Sequence, residues 1–200
     1  MFATAPSGGG RPRRSGPICL LCEAGAVSEI EVIESSMSRV FKSRGFRKRG
    51  RNWFRGTSAD EYQVVNLQMS SWGSGDCFLN LGWDPELPDT GFRRESQCCV
   101  SMRAEQTDVI PPILRVRPDG ITTTELPGIV LLDSETYGAM SPQQLTEDIA
   151  AVIAVPIADL MDRTSSVLGL LPILVEKPWI ASRSLRAYLA SRGHELPPSR

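Results

Sequence analysis

The sequence predicts an α+β fold: an N-terminal helix, an antiparallel β meander of four to five strands, and C-terminal helices packed on one sheet face. Three observations carry this. Apolar residues recur every three or four positions over residues 29–44, as on one face of a helix. After Gly45 the period becomes two, and short Gly- and Ser-rich connections join the alternating stretches, which favours antiparallel neighbours. At Ser141 the helical period returns behind a helix-start signal.

The first helix carries Ile30, Ile33, Met37, Val40 and Phe41 on one stripe. Ser28 is placed to cap its start, with Glu31 as the capping-box partner. Gly45 supplies the left-handed residue that ends it, with Phe46 able to fold back onto the last turn. Strands are expected over residues 51–55, 62–69, 77–83 and 97–103, with a possible fifth over 128–133. In the second helical block Ser141 is the cap, Pro142 the first helical residue and Gln144 the capping-box partner. Leu145, Ile149 and Val152 are expected to face the core, and Pro156 to kink or end the helix. A last helix is expected over 178–192, with Leu185, Tyr188 and Leu189 inward and Gly193 closing it. Residues 1–28 read as a disordered tail or an overextended start, 29–192 as one α+β domain, and 193–200 as a frayed tail.

Composition narrows the chemistry. The 200 residues are 41% hydrophobic and 22% charged, which excludes collagenous, fully disordered and disulfide-scaffold classes. A domain of ~150 residues buries roughly two-thirds of its unfolded surface, so its core needs no metal or bridge. The one histidine, His194, lies seven positions from the end of the sequence given, a poor place from which to orient a catalytic group or a metal. Histidine-based catalysis, a metal site and a cofactor are therefore not expected. Of five cysteines, Cys19 and Cys22 form a lone CxxC without a second pair. Cys98 and Cys99 are adjacent, so in a strand they point to opposite faces. Residues 18–27 are too short and, with Glu23, too polar for a secretory signal. Pro156, Asp159, Asp162 and Arg163 interrupt the apolar stretch 150–175, so it does not span a bilayer. These features point to a cytoplasmic protein with reduced thiols, and 19 Arg against 3 Lys points to a high-GC, bacterial genome.

Strand parity selects one surface. Val65, Leu67 and Met69 share a face, as do Leu79, Leu81 and Trp83, and Val100 with Met102. The same parity gathers Asn66, Gln68, Asn80, Ser101 and Arg103 on the opposite face. Asn and Gln are depleted in strands, so their grouping needs a cause. One reading is a flat recognition surface, where amides supply donors and acceptors and Arg103 a planar fork. The other is a solvated face or a structural network. Val64 and Phe78 add apolar area to that face, as in a protein-binding patch or one partly covered by a loop. Trp72, flanked by Ser and Gly, is either a lid on the core or an exposed anchor.

Charge is unevenly placed. Through Arg55 there are 11 basic against 4 acidic residues; from Gly56 there are 11 against 19. The densest basic run holds Arg39, Lys42, Arg44, Arg47, Lys48, Arg49, Arg51 and Arg55 without an acid. It reads either as a phosphate or nucleic-acid site with Trp53 and Phe54 as stacking groups, or as a face balanced by the acidic remainder of the fold.

The run Gly45-Phe46-Arg47-Lys48-Arg49-Gly50-Arg51-Asn52-Trp53-Phe54-Arg55, then Val64-Val65-Asn66-Leu67-Gln68, then Phe78-Leu79-Asn80-Leu81-Gly82, resembles the bacterial domain-of-unknown-function family 4304. Ser70 or Ser71 matches the serine that follows the family's glutamine, and Cys99 and Arg103 are similar to its later Cys and Arg positions. The resemblance spans residues 29–189 and is sharpest over 45–82, while the Pro-rich stretch 85–88 and the N-terminal segment depart from it. It implies an α+β domain with an antiparallel sheet. It brings no activity, cofactor or catalytic residue with it, but Asn66, Gln68 and Asn80 are residues its motif keeps.

The expected function is accordingly a non-enzymatic protein-interaction or regulatory, immunity-like module that binds a protein partner through Asn66, Gln68, Asn80 and Arg103, with Trp72 as a further contact. The alternative is nucleic-acid or phosphate binding through Arg44, Arg47, Lys48, Arg49, Arg51 and Arg55. A third is an enzyme with an amide-and-arginine pocket, for which Asp76 or Glu61 would have to serve as base.

Overall fold

In the computed structural model the described residues are 28–57, 61–71, 77–86, 88–89, 91–107, 109, 115–116, 122–123 and 138–199. Helix α1 (Glu29–Ser43) opens with the expected reciprocal capping box between Ser28 and Glu31. Gly45, at φ +81°, ends it. Phe46 then donates its amide to Phe41 O at 3.0 Å and lays its ring 5.4 Å from that of Phe41. Ile33, Met37 and Phe41 are fully buried, and Ile30 and Val40 flank them.

Five strands follow in simple antiparallel order: β1 (Arg47–Arg49), β2 (Asn52–Gly56), β3 (Tyr62–Met69), β4 (Cys77–Asp84) and β5 (Val100–Arg103). The meander is as predicted, but its fifth strand is β1, which precedes the four strands expected. Its three residues are all exposed and all basic, so no apolar alternation betrays them; short, charged strands are how sheets close their edges. The strand expected over 128–133 lies outside the described residues. A second pairing, β6 (Arg115–Val116) with β7 (Thr122–Thr123), forms a separate two-stranded sheet.

One face of the five-stranded sheet carries the core. Trp53, Val65, Leu67, Leu79, Leu81, Trp83, Val100 and Met102 all point into it. Helices α2 (Pro142–Asp148), α3 (Val155–Arg163), α4 (Leu171–Glu176) and α5 (Arg183–Ser191) form the C-terminal part, and α1 packs on α2, on α3 and on the turn between them. Helix α2 is capped as predicted, with Ser141 Oγ accepting from the Gln144 amide at 3.2 Å. Pro156 neither ends nor breaks the helical path. The six residues Ile149–Ala154 widen into a π turn, and α3 continues with Pro156 in its first turn, where no helical N–H is needed. That wider turn shifts the phase, so Ile153 and Ala154 turn inward and Val152, expected in the core, is 44% exposed.

The C-terminal helix is shorter than expected. Pro178–Ile180 is a separate 3₁₀ turn, because Ala181 pairs with Val100 and the Ser182 amide donates to Cys99 O at 3.0 Å. Ser182 then caps α5 through the Leu185 amide. Leu185 and Leu189 are buried and Tyr188 partly so. Beyond α5, Leu196 packs on the core, and Arg186 donates to Pro197 O and Ser199 Oγ.

Three polar side chains fasten the helical layer to the sheet. Gln63 Nε2 donates to Met161 O and Thr164 O, both at 2.7 Å. Trp83 Nε1 donates to Thr164 Oγ1 at 3.0 Å. The Glu61 carboxylate accepts from the Val167 amide.

Candidate functional site

The far face of the sheet is divided. Its upper part is covered by residues of the β4–β5 connection: Phe92 lies 5.1 Å from the Phe54 ring, and Cys98 packs with Phe54, Tyr62 and Val64. Tyr62 Oη donates to Arg93 O at 2.7 Å and accepts from the Arg93 amide at 3.0 Å. Arg93 in turn pairs with the buried Asp84 carboxylate. Burial pushes the Tyr62 hydroxyl up to about 12, against the opposing hydrogen bond from Arg93. The turn Glu95–Gln97 reaches the sheet only because Gly82 lacks a side chain: a Cβ there would lie 2.9 Å from Cys98 Sγ, Glu95 Cα and Val64 Cγ1. The strand expected to begin at residue 97 therefore begins at Val100, and Cys98 and Cys99 lie in the turn before it, not within the strand. They still face opposite sides, Cys98 into the far-face cluster and Cys99 towards the main core.

The lower part is polar. The register sets Asn52 opposite Asn66, Asn66 opposite Asn80, and Asn80 opposite Arg103, one residue from each of four adjacent strands in a single row. Gln68 stands opposite Phe78 in the next row, and the Arg103 guanidinium lies 4.4 Å over the Phe78 ring. Three predicted residues, Asn66, Gln68 and Asn80, are thus in direct contact, with Arg103 beside them. Asn52 is a member that parity alone did not single out; its place next to Asn66 depends on the β2–β3 register.

The row is a hydrogen-bonded chain. Asn80 Nδ2 donates to Asn66 Oδ1 at 3.2 Å and to Gln68 Oε1 at 2.9 Å. Asn66 Nδ2 donates to Asn52 Oδ1 at 3.0 Å, and Asn52 Nδ2 donates to the backbone carbonyl of Arg49 at 3.3 Å. A carbonyl can only accept, so it fixes the Asn52 amide, which fixes Asn66, which fixes Asn80. Trp72 and Asp76 lie outside the described residues.

Among the described residues, four residues of the basic run are paired with carboxylates. Arg44 bonds Asp159 at 2.8 Å and also pairs with Asp162. Arg55 bonds Asp162 at 2.8 Å and reaches Gln63 Oε1 and Arg44 O. Lys48 and Arg51 share Glu34 at 3.0 and 2.6 Å. Burial raises the Glu34 pKa, but the hydrogen bonds from Arg51 and Lys48 outweigh it and hold the carboxyl below its ordinary value. Trp53 and Phe54, expected to stack on bases, are buried at 1% and 8% exposure, one in each core, so neither offers a free ring face. Arg47 and Arg49 differ from these four: both are exposed on the far face, lying over Phe54 at 5.2 Å and Phe92 at 4.8 Å.

Glu61, one candidate base, is on the helical side of the sheet, away from the amides. Its carboxyl is pushed up by burial, against the opposing Val167 amide and Arg192 charge. Burial also raises the Cys98 thiol pKa, which disfavours a thiolate. Among the described residues no three His, Cys, Asp or Glu side chains converge as a metal site, and no helix is long and apolar enough to cross a membrane.

No curated protein and no solved structure matches the chain. Residues 37–119 match the family described as "Domain of unknown function (DUF4304)", so the chain resembles that domain family from the middle of α1 through the entire five-stranded sheet.

Proposed function

We propose that this protein is a non-enzymatic interaction module, of a regulatory or immunity-like kind, that binds a protein partner through Asn66, Gln68, Asn80 and Arg103. The observation that carries this is the cross-strand amide row. Three neighbouring strands each commit a poor strand former to the same level of the same face. The main hydrophobic core lies on the other face, and the smaller cluster on this face gathers around Phe54, Tyr62 and Val64, so neither calls for these amides. Bonded side by side they are held in fixed rotamers, and a pre-ordered polar surface loses less side-chain freedom on association. Cys98 and Cys99, which form no disulfide among the described residues, and the Arg-rich composition support a reducing, bacterial cytoplasm as its setting.

The test compares tagged wild type with an Asn66→Ala/Gln68→Ala/Asn80→Ala/Arg103→Ala variant in capture from native lysate, with and without nuclease. A Gln68→Ala/Arg103→Ala variant, which leaves the Asn80–Asn66–Asn52 chain in place, guards against loss of fold. A nuclease-resistant protein partner lost in both variants supports the proposal. Equal capture by all three proteins overturns it.

A further inference from the structure

The direction of the amide chain determines what it offers outward. The oxygens of Asn52, Asn66 and Gln68 each already accept a hydrogen bond from a neighbour in the row. Asn80 spends both Nδ2 hydrogens within the row, and it is only 9% exposed. What remains towards solvent includes donors, namely the second Nδ2 hydrogen of Asn52 and of Asn66 and the Nε2 group of the exposed Gln68, none of which meets an acceptor among the described residues, beside spare acceptor capacity on the amide oxygens. Those hydrogens can bond the backbone carbonyls of an extended peptide.

Charge adds a preference for acidic groups. Arg47 and Arg49 stand on this face, and among the described residues neither meets a carboxylate, whereas Glu34, Asp159 and Asp162 serve Arg44, Lys48, Arg51 and Arg55. Each guanidinium lies over an aromatic ring, which holds its plane while leaving its edge N–H groups able to grip a carboxylate with two parallel bonds. Arg49 is opposite Asn52, so Arg49, Asn52, Asn66 and Asn80 form one line across four strands. At ~4.8 Å per strand that line is roughly 14 Å long, the span of about four extended residues.

We infer that the segment recognised by this face is an acidic, extended stretch of a partner protein, its carboxylates held by Arg47 and Arg49 and its carbonyls by Asn52, Asn66 and Gln68. The inference rests on the protein-recognition proposal above and adds the partner's chemistry. A single-stranded nucleic acid would offer acceptors too, but the rings of Trp53 and Phe54, on which its bases would stack, are buried.

Fluorescence anisotropy at low salt with dye-labelled hexaglutamate, hexaglutamine and a twelve-nucleotide oligothymidine tests it. Wild type should bind hexaglutamate at least about tenfold tighter than either other probe. Arg47→Gln/Arg49→Gln should weaken it about tenfold or more and Gln68→Leu a few-fold, with thermal melting close to wild type. Arg39→Gln/Lys42→Gln, the same charge change on exposed positions of α1, should leave it unaltered. Equal affinity for the two peptides, oligothymidine binding as tight as hexaglutamate, or an equal loss in the α1 control each overturns the inference. If the lysate partner is lost from the far-face variants yet is not displaced by excess hexaglutamate, the acidic assignment falls while protein recognition stands. If the partner is retained by those variants, recognition itself falls.

Discussion

Asn80 stands directly opposite Asn66 across β3 and β4, and its Nδ2 donates to Asn66 Oδ1 at 3.2 Å while also serving Gln68 Oε1 at 2.9 Å. Both hydrogens of one amide are committed to two acceptors. Asn80→Asp places a carboxylate against those same oxygens and removes both donors. It should lower stability by about 1–3 kcal/mol at neutral pH, read as a lower urea midpoint with an unchanged slope. A midpoint equal to wild type would show that the row is not held by these bonds.

Gln63 should prove more critical than any amide on the far face. It donates to two carbonyls at the end of α3 from a fully buried position. Gln63→Glu turns a donor into a charge aimed at two acceptors, and should cost about 3 kcal/mol or more. Gln68→Glu, exposed on the far face, should cost under about 1 kcal/mol. Thermal melting of the pair checks the contrast.

The Glu34 pairings give a pH signature. Its folded pKa is below the ordinary 4.5, so the stabilisation is complete above that value and lost as pH falls through the lowered folded value. Because Lys48 and Arg51 are more than a third exposed, screening limits the effect to about 1 kcal/mol. Glu34→Gln should therefore destabilise at pH 7, and its difference from wild type should shrink as the pH falls through the folded value, read in urea titrations over a pH series.

Glu61 has the opposite sign. Burial raises its pKa, so it binds a proton more tightly when folded, and the benefit present below the unfolded value is lost as pH rises through the folded one. Glu61→Gln keeps an acceptor for the Val167 amide without the buried charge and should stay within about 1 kcal/mol of wild type at pH 7. Glu61→Leu leaves that amide unbonded and should cost about 1–3 kcal/mol.

Gly82→Ala should loosen the turn Glu95–Gln97, since the new methyl meets backbone at Glu95 and the Cys98 sulfur. A cost of about 1–3 kcal/mol is expected. Cys98 should then react faster with a thiol reagent than in wild type, while the fully buried Cys77 does not. Unchanged Cys98 labelling would show that the turn tolerates the methyl.

The elements readable from sequence were those whose signals are local. The Ser28/Glu31 box, Gly45, Ser141 with Pro142, and the period-two faces of β3 and β4 all depend on residues close in the chain. What escaped depends on distant partners. Gln63 shares parity with Val65 and Leu67, but only the carbonyls of Met161 and Thr164 explain an amide in the core. The edge strand β1 has no apolar side, and the π turn shows itself only where the phase slips from Val152 to Ile153. Arg44 and Arg55 read as part of a basic run because Asp159 and Asp162 are more than a hundred positions away in sequence.

The carbonyl of Arg49 orients three asparagines and, through the last of them, a glutamine. That control point has no side chain. Any residue at position 49 would present the same oxygen, so alanine scanning would pass over it and substitutions there leave the row facing the same way. The guanidinium at 49 can consequently be exchanged to retune what the surface attracts, while the main chain beneath keeps the donors pointing outward.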